Sequence, residues 1–175
     1  MKVNPTILLT FDVEEFDLPL EYNKEIDLSQ QFAIGNKGFA EVERIVTDFN
    51  IKTTMFTTAR FALQCAEQIK RLSVSHEIAS HTFSHSTFEK TDLLKSKLVL
   101  EDITGKEVTG LRMPRMKKVN IEWVKEAGYS YDSSINPTLI PGRYNNLHIK
   151  RVFYKEAGML RLPISVSPNF RIPLF

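Results

Sequence analysis

Apolar positions recur along the chain in two alternating periods. Residues 6–11, Thr-Ile-Leu-Leu-Thr-Phe, form a short and nearly continuous apolar run, the pattern of a strand buried on both faces. Residues 18–37 have no clear period and read as an irregular excursion. From 38 to 49 the pattern turns helical, with Phe39, Val42, Ile45, Val46 and Phe49 on one face and Asn50 as the stop. Residues 51–58, rich in β-branched and aromatic side chains, predict a second strand, and 61–72 a second helix. A third strand over 76–80, a helix over 91–104 ended by Gly105 and a fourth strand over 108–111 follow. A helix over 120–127, capped by Asn120 and stopped by Gly128, leads into a short strand at 129–131. Residues 137–146 contain Pro137, Pro141 and Gly142 and predict a loop; 149–154 and 159–164 are the last strand candidates.

Strand and helix thus alternate through four units, which calls for a mainly parallel sheet with helices outside, open or closed into a barrel. The 175 residues, 42% hydrophobic and 25% charged, suit one soluble domain spanning 1–175. A net charge of +2 with the basic residues scattered leaves no basic stripe, so no nucleic-acid partner is expected. The single cysteine, Cys65, lies in an apolar-patterned segment and reads as a buried, inert thiol. Met1-Lys2-Val3-Asn4-Pro5 leads straight into the first strand without a signal-peptide core, and no apolar run has membrane-spanning length. The expectation is a cytoplasmic protein with no membrane span.

The chemistry sits at the strand ends. The first strand ends in Asp12-Val13-Glu14-Glu15-Phe16-Asp17, four carboxylates in six residues. The third runs into Ser80-His81-Thr82-Phe83-Ser84-His85. On a helical turn the spacing of its two imidazoles puts both rings on one side, within reach of a single ion, with hydroxyl groups available to support them. His76 stands before its strand and reads as structural. The fourth strand ends in Arg112-Met113-Pro114-Arg115 and the fifth in Asp132-Ser133-Ser134. Asp12, His81, His85, Arg112 and Asp132 therefore follow four strands, all at C-terminal ends, which in a barrel share one rim. One carboxylate and two histidines make a metal triad with open positions. A second carboxylate can act as base on the metal's water, and an arginine can hold that base ionised. Such a set suits hydrolysis of an amide or ester. No Ser-His-Asp order, phosphate-cradling glycine loop or C-x-x-C pair competes with it.

Thr10-Phe11-Asp12, the run His76-Glu77-Ile78-Ala79-Ser80-His81-Thr82-Phe83-Ser84-His85, and Arg112-x-Pro114 resemble the first three motifs of the polysaccharide deacetylases, the NodB-type enzymes of carbohydrate esterase family four. Tyr131-Asp132-Ser133-Ser134 and Leu162-Pro163 resemble the segments that follow, so the likeness covers roughly residues 7–167. The resemblance implies a distorted (β/α) barrel and metal-dependent removal of N- or O-acetyl groups from sugars. It implies that Asp12 is the catalytic base, that His81 and His85 are metal ligands, that Arg112 pairs with the base, and that Asp132 steadies this arginine.

Three departures from the family pattern carry expectations of their own. Val13 stands where most members have the third metal ligand. A sub-group resembling cyclic-amidine and imide hydrolases places that ligand one residue later, at Glu14; Glu15 is the weaker candidate, since it would point to the opposite face of a continuing strand. Arg115 stands where an aromatic residue is usual, an extra cation that would favour an anionic substrate unless it is simply solvated. The family's last motif supplies a histidine as general acid, but no histidine follows His148, which itself precedes its strand. The barrel is therefore expected to be incomplete at the C-terminus, exposing edge and apolar surface that favour a homo-oligomer. Two classes of function follow. One is a metal-dependent hydrolase acting on an acetylated carbohydrate or small amide, with zinc as the leading metal and cobalt, nickel and iron also suited. The other is a sugar-binding or assembly protein that keeps the fold with weakened or lost catalysis.

Overall fold

The computed structural model of the protein describes residues 6–142 and 144–174. The 1–5 segment, expected to lack an export signal, Arg143 of the predicted loop and the C-terminal Phe175 lie outside them. Strands β1 (Thr10–Val13), β2 (Thr54–Thr57), β3 (Glu77–Ser80), β4 (Gly110–Leu111) and β5 (Tyr131–Asp132) pair in sequence order, all parallel. Strands β6 (Leu139–Ile140) and β7 (Tyr144–Asn145) form a separate antiparallel ribbon inside the predicted loop. Strand β8 (Tyr154–Glu156) turns back antiparallel onto β9 (Met159–Arg161), and β9 lies parallel to β5. The sheet order is β1-β2-β3-β4-β5-β9-β8. Among the described residues the sheet is not closed into a barrel: β1 and β8 are its edges.

The helices are α1 (Leu18–Glu21), α2 (Leu28–Asp48), α3 (Ala59–Gln64), α4 (Ala66–Leu72), α5 (Lys90–Thr104) and α6 (Ile121–Glu126). Met55, Phe61, Ile69, Leu93, Leu100 and Leu111 are fully buried in one core cluster. Each such side chain contributes about 1.5–3 kcal/mol of transfer free energy. None of the helices among the described residues is long and apolar enough to cross a membrane.

Besides the ribbon inside the predicted loop, several predicted elements differ from the observed ones. The first strand is displaced: its pairing begins at Thr10, and Ile7 and Leu8 are exposed. The segment 18–37 is not irregular, because α1 occupies part of it and α2 starts ten residues earlier than the apolar period does. Asp27 starts α2 by accepting the Gln30 amide at 2.8 Å, and the largely exposed turns that follow have no apolar stripe to betray them. The predicted 61–72 helix is broken at Cys65, whose φ of −120° and ψ of 34° separate α3 from α4. Cys65 is half-buried rather than enclosed, and burial pushes its thiol pKa up. Finally, the predicted 149–154 strand contributes only its last residue to β8, with Val152 and Phe153 exposed.

Candidate metal centre

Glu14 enters the site because of strand alternation. Along β1 the side chain of Val13 turns into the core, only 4% exposed, so Asp12 and Glu14 share the opposite face. A carboxylate at position 13 would point away from the histidines; one at 14 reaches them. Glu14 Oε2 lies 3.0 Å from His81 Nε2 and 3.1 Å from His85 Nε2.

The histidine pair is not helical, contrary to the turn its spacing suggests. It rides a loop after β3 in which Thr82 adopts a left-handed φ of 63°. Two hydroxyls support this conformation: Ser80 Oγ accepts the Thr82 amide at 3.1 Å, and Thr82 Oγ1 donates to the Ser84 carbonyl at 3.1 Å. The rings stack at 5.6 Å with 25° between planes.

The far nitrogens fix the tautomers. His81 Nδ1 is 2.8 Å from the Arg112 carbonyl, which can only accept, so this nitrogen carries the proton. His85 Nδ1 is 2.7 Å from Asp17 Oδ1, and a carboxylate oxygen accepting there imposes the same tautomer. With both rings neutral, two Nε2 lone pairs and a carboxylate oxygen converge without a hydrogen between them. Glu14 Oε2 is buried and has no hydrogen-bond partner among the described residues. Acceptors at 3.0 and 3.1 Å repel unless a cation or a proton lies between them. The same field acts on protons: burial disfavours a charged His81, but a protonated ring would donate to Glu14 and meet the charges of Asp12 and Glu14, which outweigh burial and raise its pKa. The three donor atoms lie within 4.8 Å of one another, and two imidazoles with one carboxylate are a set suited to a divalent transition ion.

Beside this point, Arg112 Nη1 donates to Asp12 Oδ1 at 2.7 Å. The guanidinium is held rigidly. It donates to Thr10 Oγ1 and to Ser133 Oγ, each at 3.0 Å, and stacks over the Phe56 ring at 4.0 Å. Asp12, Glu14, His85 and Arg112 open on a cavity of about 750 Å³ whose walls include Leu9, Phe11, Phe56 and Leu162.

Several sequence-based candidates stand elsewhere. The Asp132 carboxylate is not turned to Arg112, as the resemblance implied. Oδ2 pairs with Arg161 Nη1 at 3.0 Å, while Oδ1 accepts the Ser134 amide at 3.0 Å and the Ser134 hydroxyl. Burial holds its carboxyl above the usual range against the opposing pull of Arg161, Ser134 and Arg112. Asp132 and Arg161 line a second cavity of about 360 Å³, and His148 lies there as well. Arg115 is not a simply solvated cation: Asp17 Oδ2 at 2.9 Å and Glu21 take its guanidinium, while the residue lines the same cavity as Asp12 and His85. Glu15 is completely buried and faces away from the converging atoms, accepting from Thr58 Oγ1 at 2.7 Å and the His85 amide at 3.1 Å. His76 meets Thr53 Oγ1 at 3.2 Å, outside the centre. Asp17 and Arg161 were not singled out by sequence. The acidic run contained Asp17, but nothing in it indicated which carboxylate would reach a ring.

The polysaccharide deacetylase family matches residues 2–131 of the chain. No curated protein matches it. Among solved structures, one described as a polysaccharide deacetylase from Mycobacterium smegmatis is 21% identical, with a TM-score of 0.67 over 93% of this chain and 63% of that one. Puue allantoinase is 17% identical, with a TM-score of 0.65 over 91% of this chain and 61% of that one. A family 4 acetyl xylan esterase from Clostridium thermocellum, in complex with a cobalt ion, is 17% identical, with a TM-score of 0.50 over 94% and 76%. The chain therefore spans less than two thirds of the length of the first two.

Proposed function

Because the chain belongs to the polysaccharide deacetylase family, we propose that it is a metal-dependent hydrolase that removes acetyl groups from a sugar or polysaccharide precursor, acting on a non-peptide carbon–nitrogen bond. The observation that carries this reading is the meeting of Glu14 Oε2 with two histidine Nε2 atoms, all acceptors, beside the Asp12–Arg112 pair. Glu14, His81 and His85 would hold the ion, with zinc the leading candidate. A bound divalent ion supplies Lewis-acid chemistry, polarising the scissile carbonyl and lowering the pKa of its water.

The chain's own residues divide the remaining work. Asp12 takes the proton of the attacking water as general base. Arg112 fixes that carboxylate through one oxygen, and the Phe56 ring with the Thr10 and Ser133 hydroxyls prevents the guanidinium from swinging away. Asp132 acts at a distance, as a buried charge behind Ser133. The cavity of about 750 Å³ accommodates a sugar ring or a small cyclic amide.

A second reading, a carbohydrate-binding or assembly protein with weakened catalysis, is favoured by one observation. His76 bonds Thr53 and His148 lines the second cavity, so among the described residues no third imidazole stands beside Asp12. The test is acetate release from N- and O-acetylated sugars, with hydrolysis of a cyclic amide in parallel, by zinc- or cobalt-loaded protein. Turnover that falls about 10²–10⁴-fold in Asp12→Asn with metal retained supports the hydrolase. Metal-loaded protein that binds sugar without turning over any of these substrates supports the second reading.

A further inference from the structure

His85 is gripped by three carboxylates from a single short segment. Glu14 faces its Nε2 at 3.1 Å, Glu15 Oε1 accepts its backbone amide at 3.1 Å, and Asp17 Oδ1 lies 2.7 Å from its Nδ1. Asp17 is only 2% exposed, and its other oxygen takes Arg115 Nη2 at 2.9 Å. Arg115 adopts a left-handed φ of 55°, as does Met116 at 53°, so the turn after β4 bends in a conformation L-residues rarely take. The side chain it delivers runs back to Asp17 and Glu21.

We infer that Asp17 and Arg115 are a positioning couple for the metal centre: Asp17 orients the His85 ring by accepting at Nδ1, and Arg115 holds the Asp17 carboxylate in place. The inference rests on the metal-centre reading above. The ring of His85 could turn about its χ2 were it held only at Nε2. The Asp17 contact removes that freedom and leaves Nε2 unprotonated, the form in which it ligates. Arg115 takes the oxygen of Asp17 that His85 leaves free, at 2.9 Å, so the carboxylate is held from both sides and cannot turn away from the ring. The two ligand histidines are thereby supported in different ways. His81 is oriented by a backbone carbonyl that no side-chain substitution removes, whereas His85 depends on a replaceable carboxylate.

The test is metal affinity, measured by competition with a chromogenic chelator, for wild type, Asp17→Ala, Asp17→Asn and Arg115→Met. Each variant is also melted in the metal-free state. Asp17→Ala is expected to bind zinc and cobalt about 10–100-fold more weakly. Asp17→Asn keeps an acceptor for Nδ1 and is expected to fall between it and wild type. Arg115→Met, altered at a partly exposed side chain and the safer variant for folding, is expected to lose severalfold. The visible spectrum of the cobalt protein should change in both Asp17 variants, which a purely structural role would not require. Variants that melt like wild type without metal and bind metal with unchanged affinity and spectrum overturn the couple while leaving the centre intact. Wild type that binds no metal overturns the centre and the couple with it.

Discussion

A carboxylate and a guanidinium divide the proposed catalytic work at residue scale. Asp12 is the group whose removal should separate metal binding from turnover, since it is placed beside the converging donors and is not one of them. Glu14→Gln should do the opposite. The amide keeps the size but loses the charge at the point where both imidazoles aim, so metal affinity should drop at least tenfold in chelator competition; unchanged affinity would remove Glu14 from the ligand set. Much of this scale is legible in sequence. The two histidines and Arg112 lie in contiguous motifs, and Glu14 is reached through the family resemblance, with the buried Val13 giving the physical reason only in the structure. Asp17 and Arg161 are not legible. Their partners, His85 and Asp132, lie 68 and 29 positions away in sequence, and a buried ion pair leaves no periodic trace. Asp132 misleads for the same reason, because the motif locates the residue while only the packing reveals which cation it faces.

At the scale of elements, helix α2 touches the site through a missing side chain. A Cβ at Gly35 would lie 2.4 Å from the Glu14 carbonyl oxygen, a backbone atom that cannot move without dragging the proposed ligand. Gly35→Ala should cost about 1–3 kcal/mol in denaturant unfolding and weaken metal binding as well; a fully stable variant with normal affinity would contradict this packing. That glycine also helps hide α2 in the sequence, since Gly35 and Gly38 interrupt a run whose other positions are mostly exposed. Helix α5, by contrast, is legible from end to end, with Gly105 in the left-handed conformation at its C-cap and the Glu89–Asp92 capping box at its start. It is fastened by Tyr129, in the connection between α6 and β5, whose hydroxyl donates to the Leu93 carbonyl at 2.7 Å. Burial pushes the Tyr129 pKa up to about 12 from an ordinary 10. The folded state therefore keeps this proton while the unfolded chain loses it, so the contribution is intact below pH 10 and is lost as pH rises through about 12. Between those values stability should fall by about 1.4 kcal/mol per pH unit from this group. Tyr129→Phe should flatten that part of an alkaline unfolding profile; an unchanged slope would show that another group governs it.

For the whole molecule, the parallel order of β1 to β5 and β9 carries Asp12, His81, His85 and Arg112 to one side of the sheet, which the alternation of strand and helix patterns implies. Among the described residues β1 and β8 are the open edges of this sheet. The proposed ligands come from two segments far apart in sequence, the end of β1 and the loop after β3. A cation joining them binds the folded state alone. Metal at a hundred times its dissociation constant should stabilise the protein by about 2.7 kcal/mol, an increment that a chelator removes. The most direct measurement is the metal content of purified wild type beside a His81→Ala/His85→Ala double mutant. About one ion per chain in wild type, lost in the mutant, is the predicted result. Wild type that stays metal-free after incubation with zinc or cobalt would contradict the account and leave a deacetylase fold without its chemistry.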